Sequence, residues 1–211
     1  MAYCGQTREA GLSAELAAAG IGECTVRGEV RSRRRSPWFY DNGAFRDWRA
    51  GVPFDAMTFC RDMRRIRYTK GAASDLTFVI VPDLVADGEA SLATSAFWRH
   101  EVDAPAYLAV QDGMTEARVA SFLDDAIEAA EPYAGLFVGG SLEWKLATSA
   151  SWVDLAHGRG IACHIGRVGT PDRVRWASGI GADSIDSCLP LMHRHHLDRF
   201  LGALAEVKEA A

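Results

Sequence analysis

Short apolar runs recur along the chain, and each run ends on a polar or glycine residue. Six runs of this kind end before Asp41, Asp83, Gln111, Gly139, His164 and Asp186. From residue 76 onward the runs alternate with stretches whose apolar residues recur at helical spacing. A short and almost continuously apolar run is typical of a strand covered on both faces. The pattern therefore predicts strand–helix repeats and a parallel sheet.

The predicted strands and helices alternate regularly after the first third of the chain. Strands are predicted at 25–30, 38–40, 76–81, 106–110, 135–138, 161–165 and 183–185, and helices at 12–19, 54–68, 89–100, 115–130, 142–158, 171–179 and 194–208. Thr115 has the chemistry of a helix N-cap, and Pro171 suits the first turn of the helix that follows it. Helix starts therefore follow directly after the residues that end the strands.

Seven predicted strands leave the fold one strand short of a closed eight-stranded barrel. The best fit is an α/β fold, a small (β/α)8 TIM-like barrel that is complete or lacks one strand. A barrel of this kind gathers its strand ends at one rim, where ligands bind. An open doubly wound sheet is the rival, because its ligands also bind beyond the carboxyl ends of the strands. Either architecture brings the strand-end residues to one site.

The length and composition of the chain favour a single domain over residues 1–211. Its 211 residues are 48% hydrophobic, which is enough for one core, and no linker-like stretch divides them. The five cysteines include no C-x-x-C pair, which argues against a disulfide framework and a thiolate zinc site. No signal-peptide pattern opens the sequence, and no window approaches the roughly 18 apolar residues of a membrane span. We therefore expect a cytoplasmic protein without a membrane partner.

Basic residues are concentrated in one part of an acidic chain. The net charge of −5 argues against a protein that coats nucleic acid. Arg33, Arg34 and Arg35 nevertheless stand just before the first strand-end acid, and Arg167 follows a later strand. A one-sided basic surface can hold phosphates on an acidic protein, so these arginines are candidates for contacts with a nucleic-acid backbone. The alternative is that they are simply solvated.

The strand-end residues have the chemistry of a site for a planar, polar ligand. Asp41 is followed by a glycine turn and by Phe45, an aromatic ring suited to stacking. Asp83 adds a carboxylate, and the Gln111 amide can both donate and accept hydrogen bonds, as reading a base edge requires. The double glycine Gly139–Gly140 would present bare backbone groups to a ligand. Each motif alone also fits an ordinary turn or helix cap. The evidence for a site is therefore the order of the motifs along the chain.

In order and spacing, these segments resemble the guanine transglycosylases, which exchange a guanine in nucleic acid for a deazaguanine. The resemblance covers about residues 38 to 190. The matching segments are the Asp41–Phe45 motif, an aspartate like Asp83, the Val110–Gly113 segment, the double glycine, the Gly169–Pro171 turn and an aspartate like Asp186. The barrel expected from the strand pattern is also the fold that the resemblance implies.

The resemblance implies a role for each matching residue. Asp186 would be the nucleophile, and Asp41 the general acid/base. The residues that would bind the base are Asp83, Gln111, Gly139 and Gly140 at its edge and Phe45 at its face. The expected partners are DNA and a free 7-deazaguanine base, such as 7-cyano-7-deazaguanine.

Departures from the family pattern narrow these expectations. In the tRNA enzymes three cysteines and a histidine bind zinc after the nucleophile. Here Cys188 is the only cysteine after Asp186, so that set of ligands cannot form. We therefore expect no metal, no zinc-binding subdomain and no other cofactor. The family's glutamate beyond the double glycine is replaced near Trp144 and Lys145. The chain is also shorter than the tRNA enzymes and looks like the DNA deazaguanine transglycosylases of phages and bacterial modification systems, which would place a phage-encoded protein in the host cytoplasm.

Three other interpretations stay open at this point. The enzyme could act on tRNA, or it could be a small-molecule barrel enzyme that uses Asp41 and Asp186 as an acid/base pair. It could also be a non-catalytic nucleic-acid-binding relative. The oligomeric state is equally open, and a homodimer is compatible with the sequence.

Overall fold

The fold is a closed barrel of parallel strands surrounded by helices, as seen in a computed structural model that describes residues 1–31, 34–71 and 73–210. The strands are β1 Ala2–Gly5, β2 Gly22–Val26, β3 Trp38–Asp41, β4 Leu76–Ile80, β5 Ala106–Val110, β6 Gly135–Val138, β7 Ala162–Ile165 and β8 Ser184–Ser187. The helices are α1 Ala10–Ala18, α2 Ala44–Ala50, α3 Ala56–Tyr68, α4 Gly88–Arg99, α5 Glu116–Glu128, α6 Leu142–Gly158, α7 Pro171–Gly179 and α8 Arg194–Glu209, with a 3₁₀ turn at Leu189–Leu191. The strands follow one another around the barrel in chain order, which confirms the (β/α)8 prediction and excludes the open sheet.

The strand missing from the sequence prediction is β1, which closes the barrel. It pairs in parallel with β2 on one side and with β8 on the other, so that Tyr3 is in register with both Gly22 and Asp186. Only four residues long, with a tyrosine, a cysteine and a glycine among them, it lacks the apolar run by which the other strands are recognised. The barrel is therefore complete.

The second strand lies earlier than predicted. It spans Gly22–Val26 rather than 25–30, because the chain turns after Arg27 and Gly28 adopts a left-handed backbone with φ of 83°. Along β2, Cys24 faces the barrel interior while Glu23 and Thr25 face outward, where both are buried. Because the buried residues on its outer face are polar, β2 does not appear as an apolar run in the sequence.

A further helix, α2, follows β3 where the sequence indicated only a turn. Gly43 precedes it with φ of 74°, and Gly51 ends it with φ of 66°, both in the left-handed region that glycine adopts without strain. Asp47 on this helix forms a buried ion pair with Arg27, which follows β2. The buried pair fixes the helix against the barrel just beyond the end of β3.

The barrel interior is filled largely by aromatic rings. The Phe78 ring stacks on Phe39 with centroids 4.6 Å apart and on Tyr107 at 3.9 Å, and the edge of Tyr3 meets Phe39 at 5.0 Å. Room for these rings comes from glycine, because a Cβ at Gly135 would lie 2.4 Å from the Tyr107 ring. The rings form a floor beneath the carboxyl ends of the strands.

The outer faces of the strands pack against the helices in a second core. On α6, for example, Trp152 and Val153 are almost fully buried, and burial of each such side chain stabilises the fold by roughly 1.5–3 kcal/mol. Thr115 caps α5 by accepting a hydrogen bond from the amide of Arg118, and Pro171 occupies the first turn of α7, as predicted. Across the described residues, no helix is both long and apolar enough to cross a membrane.

Candidate functional site

A cavity of about 440 Å³ opens at the carboxyl ends of the strands. This volume falls within the range of about 300–1,000 Å³ that is usual for small-molecule sites. Eight of the residues singled out in the sequence line it: Asp41, Phe45, Asp83, Gln111, Gly139, Gly140, Arg167 and Asp186. The two carboxylates assigned to catalysis, 145 positions apart in the chain, therefore open into the same space.

The Asp41 carboxylate ends β3 and is largely shielded from solvent. Its Oδ1 accepts a hydrogen bond of 2.7 Å from the amide of Gly43. Burial raises the pKa of Asp41 above the usual aspartate value, the Gly43 amide opposes this rise, and the nearby Asp186 carboxylate adds to it. A carboxyl group in this environment holds its proton to higher pH than an exposed aspartate does.

Asp186 is the next-to-last residue of β8, and a histidine from the neighbouring strand holds its carboxylate. Its Oδ1 lies 2.9 Å from Nε2 of His164, and Nδ1 of the same ring lies 2.8 Å from Oγ of Ser184. The His164 side chain is fully buried and stacks on the Phe137 ring with centroids 5.2 Å apart. Burial lowers the pKa of His164 and the Asp186 carboxylate opposes this, so the ring is favoured in its neutral form.

The tautomer of His164 follows from these partners. An ionised Asp186 carboxylate only accepts hydrogen bonds, so Nε2 of His164 carries the proton and donates it to that carboxylate. Nδ1 then accepts from the Ser184 hydroxyl, which can donate. Ser184, His164 and Asp186 thus form a chain that fixes one oxygen of Asp186 and leaves the carboxylate at the cavity wall.

Asp83 follows β4 and lines the cavity, and two side-chain amides donate hydrogen bonds to its carboxylate. Its Oδ1 accepts a hydrogen bond of 2.9 Å from Asn42, and its Oδ2 accepts a long one of 3.4 Å from Gln111. Burial raises the pKa of Asp83 to about 6, against which the Asn42 hydrogen bond acts. Asn42 also donates to the carbonyl of Val81, so it ties the ends of β3 and β4 together.

Gln111 lines the cavity, but its amide is engaged by the protein. Its Oε1 accepts from the amide of Ala86 at 2.8 Å, and its Nε2 donates to the carbonyl of Leu84 at 2.8 Å and to Oγ of Ser91 at 3.0 Å. These bonds hold the segment that follows β4. Recognition of a base edge by Gln111 itself stays a prediction.

The double glycine forms a tight part of the cavity wall. Gly140 has φ of 70°, and a Cβ there would lie 2.5 Å from Oδ2 of Asp112 and 2.8 Å from the Trp144 ring. The Asp112 carboxylate accepts from both the amide and the hydroxyl of Ser141, each at 2.6 Å. Only glycine fits at position 140, and the turn brings the backbone of Gly139 and Gly140 to the cavity.

An arginine and two aromatic rings lie around the mouth of the cavity. The guanidinium of Arg167 lies over the Phe45 ring, 4.6 Å from its centroid, and also donates to the carbonyl of Gly140. Phe45 follows β3 and Arg167 follows β7, so the pair spans the rim between opposite sides of the barrel. Trp48 stacks beside Phe45 with centroids 5.7 Å apart.

Two of the other predicted phosphate-binding arginines, Arg34 and Arg35, do not reach the cavity. The Arg35 side chain is 2% exposed and donates to the carbonyls of Cys4 and Gly5 beside the Glu23 carboxylate, so its assignment to a phosphate was wrong. Arg34 packs over the ring of Trp38, at the opposite end of β3 from Asp41, which removes it from the rim as well. Arg33 lies outside the described residues. Among the three arginines of this set that the structure describes, Arg167 alone lines the cavity.

Sequence reasoning missed four residues at or beneath this site. His164 ends an apolar run but received no role, although alternation along β7 places it inside the barrel. Asn42 sits within the first motif, and Trp48 was passed over because the helix that carries it was not predicted. Lys145 is 97% buried, donates to the carbonyl of Gly166 and has its pKa lowered to about 8, chiefly by burial and secondly by Arg167.

The described part of the chain contains no group of three or more histidine, cysteine or acidic side chains placed to hold a metal ion. The fold and the cavity together define an α/β barrel whose pocket is lined by four aspartates, Asp41 and Asp186 among them. Catalytic groups of such barrels lie at this end of the strands.

No family model and no curated protein matches the chain. Among solved structures, it is similar to a protein from Agrobacterium tumefaciens described as a glycerophosphoryl diester phosphodiesterase, at 14% identity and a TM-score of 0.46, over 93% of this chain and 63% of that one. It is also similar to a mutant mandelate oxidase with a monooxide FMN adduct, at 17% identity and a TM-score of 0.51, over 93% of this chain and 68% of that one. The chain thus spans less than two thirds of the first protein, and the likeness concerns the fold alone.

Proposed function

We propose that this protein is a base-exchange enzyme that replaces guanine in DNA by a 7-deazaguanine derivative through a covalent aspartyl-nucleotide intermediate. The observation that carries the proposal is the convergence of Asp41 and Asp186 on one cavity. Two carboxyl groups that flank one glycosidic bond are the machinery of substitution with retention, in which they stand about 5 Å apart.

The two carboxyl groups have different surroundings, as the two roles require. Asp186 accepts a hydrogen bond from the buried His164 and serves as the nucleophile in its ionised form. Asp41 has its pKa raised by burial and by the neighbouring Asp186, so it can carry a proton to the leaving base. Environments that separate the proton affinities of two neighbouring carboxyls assign the acid and the nucleophile.

The exchange takes place in two displacements. An Asp186 oxygen attacks C1′ of the deoxyribose, the bond from C1′ to N9 breaks, and guanine leaves with the electron pair and a proton from Asp41. The incoming deazaguanine then gives its N9 proton to Asp41 and attacks C1′ through N9. The bond from C1′ to Asp186 breaks and the carboxylate is restored.

The remaining cavity residues suit the face and the edge of a guanine. The Phe45 ring would stack on the base in place of the Arg167 guanidinium that lies over it. The Asp83 carboxylate and the backbone of Gly139 and Gly140 line the cavity where a base edge would lie. A base in a duplex must leave the stack to reach such a pocket, at a cost of a few kcal/mol that stacking on an aromatic side chain offsets in part.

Incubation with DNA or with tRNA, each with 7-cyano-7-deazaguanine, tests the proposal. Nucleoside analysis by mass spectrometry should find the deazaguanine in DNA with the wild-type protein and not with Asp186→Asn. Incorporation into tRNA alone would assign the enzyme to RNA. The absence of incorporation into either polymer, at protein concentrations that bind DNA, would leave a non-catalytic binder and overturn the proposal.

A further inference from the structure

The outer part of the cavity wall is formed by two aromatic side chains on one short helix. Phe45 and Trp48 on α2 stack with an angle of 27° between their rings, and both line the cavity. Phe45 is 39% exposed and Trp48 is 53% exposed, so the aromatic wall continues from the pocket to the protein surface.

Trp48 packs on the exposed ring of Phe45 and not into the body of the barrel. The buried residues of α2 are Ala44 and Asp47, while Trp48 belongs to neither hydrophobic core of the described residues. An indole that is more than half exposed leaves apolar surface in water, and covering that surface with a planar ligand is favourable.

Two cations flank Trp48 on its own helix. Arg46 and Arg49 on the same helix are exposed, and Arg167 lies over the neighbouring Phe45 ring. Asp47, the acid of the helix, is turned inward, where it pairs with Arg27 and lies 3.8 Å from the guanidinium of Arg46. The outward face of α2 therefore combines a stacking ring with cations, the combination by which proteins hold single-stranded nucleic acid.

The helix also holds Trp48 in place before a ligand arrives. The buried pair of Asp47 with Arg27 ties the middle of α2 to the barrel, and glycines with left-handed backbones bound the helix at both ends. A preformed platform loses little conformational entropy on binding.

From these observations we propose that Trp48 is a second stacking platform, which binds the base adjacent to the target guanine on the same DNA strand. This inference rests on the proposed function, because that function places the target base in the cavity against Phe45. The strand then leaves the cavity past Trp48, with its phosphates near Arg46 and Arg167.

Oligonucleotide binding tests the inference without requiring catalysis. Fluorescence anisotropy would measure the Kd of single-stranded DNA with one central guanine, of the same strand with an abasic site 5′ of the guanine, and of the strand with an abasic site 3′ of it. Stacking on an aromatic side chain contributes about 1–3 kcal/mol per base, so Trp48→Ala should weaken binding of the full strand by about 5- to 150-fold. Trp48→Phe should lose less affinity for the full strand than Trp48→Ala.

One of the two abasic strands should bind wild type and Trp48→Ala almost equally, since the base that Trp48 contacts is missing from it. The matched control is Tyr68→Ala. Tyr68 is an exposed aromatic beside an arginine, Arg67, but it ends α3 at the opposite end of the barrel. Its replacement should leave all three Kd values unchanged.

Equal affinity of Trp48→Ala and wild type for the full strand would overturn the inference. So would a loss of the same size on all three strands, or a Trp48→Ala variant whose weaker binding accompanies a change in oligomeric mass, which would mean that Trp48 contacts a second copy of the chain. If base exchange occurs and Trp48→Ala binds normally, only the inference fails. If Trp48 binds the flanking base but no exchange occurs, only the proposed function fails.

Discussion

The imidazole Nε2 of His164 lies 2.9 Å from Oδ1 of Asp186, inside the barrel and directly beneath the cavity. The histidine is fully buried, and the Ser184 hydroxyl satisfies its other nitrogen. This arrangement gives the proposed nucleophile one fixed hydrogen-bond donor and one defined orientation.

We predict that His164→Leu lowers kcat for base exchange by about 10- to 150-fold with little change in KM for DNA. The physical reason is the loss of a hydrogen bond to a charged group, which contributes about 1.5–3 kcal/mol. His164→Gln, whose amide can donate from a similar position, should recover part of the rate. Steady-state kinetics with labelled guanine check both variants.

The matched control for His164 is Tyr3→Phe. It removes another buried polar atom from the barrel interior, the hydroxyl that donates to Thr77, without touching Asp186. If Tyr3→Phe and His164→Leu lower kcat equally, the effect is one of barrel packing and His164 does not position the nucleophile.

We predict that Asp41→Asn lowers the exchange rate by about 10²–10⁴-fold, the usual contribution of a general acid or base. Because burial raises the pKa of Asp41, the wild-type rate should fall as the pH rises through that raised pKa and the proton is lost. The amide variant has no proton to lose there, so its residual rate should lack this alkaline limb. Rate profiles that decline in parallel for the two proteins would contradict the assignment.

We predict that Asp83 makes the fold less stable as the pH rises from about 4 to 6. The pKa of Asp83 is raised to about 6 in the folded protein from 3.8, so the folded state binds more protons than the unfolded state in this window. The stabilising contribution is complete below about pH 4 and lost as the pH rises through 6. Denaturant unfolding at several pH values should show this slope in the wild type.

Asp83→Asn should remove that slope. The amide also disturbs the contacts with Asn42 and Gln111, but this cost does not depend on pH. The free energy of unfolding of the variant relative to wild type should therefore increase between pH 4 and 6. A constant difference across the window would show that Asp83 does not titrate there.

We predict that Gly140→Ala is more damaging than Gly160→Ala. Both glycines have φ near 70°, so both variants pay for a left-handed alanine, roughly 1 kcal/mol or more. Position 160 has nothing within 4 Å of the added Cβ, whereas at position 140 the Cβ would meet Asp112 and Trp144. The free energy of unfolding in denaturant and the rate of base exchange should both be lower in Gly140→Ala than in Gly160→Ala. Equal losses in the two variants would mean that Asp112 and Trp144 move aside easily.

The parts of the fold that sequence predicted are those with a strong local signal. Apolar runs located most of the strands, and Thr115 and Pro171 marked helix starts that the structure confirms. Strand β1 has no such run, because Tyr3 and Cys4 sit among small residues, and one of its two partners, β8, comes from the other end of the chain. A pairing between the two ends of the chain produces no recognisable pattern in the local sequence.

The direction of polar side chains was harder to predict than their position. A strand-end residue in a parallel barrel reaches the rim whatever its type, which is why Asp41 and Asp186 share a cavity. Whether an arginine faces solvent or packs under a loop depends on its partners, and Arg35 is buried because Cys4, Gly5 and Glu23 surround its guanidinium. Tertiary contacts of this kind cannot be predicted from the distribution of charged residues along the sequence.

The most direct test of the account is the capture of the covalent intermediate. End-labelled single-stranded DNA with one guanine, incubated with the protein and no incoming base, is separated on a denaturing gel. We expect a DNA–protein adduct with the wild type that disappears when a deazaguanine is added, and no adduct with Asp186→Asn. An adduct of equal yield in Asp186→Asn, or base exchange in the wild type without any adduct, would contradict it.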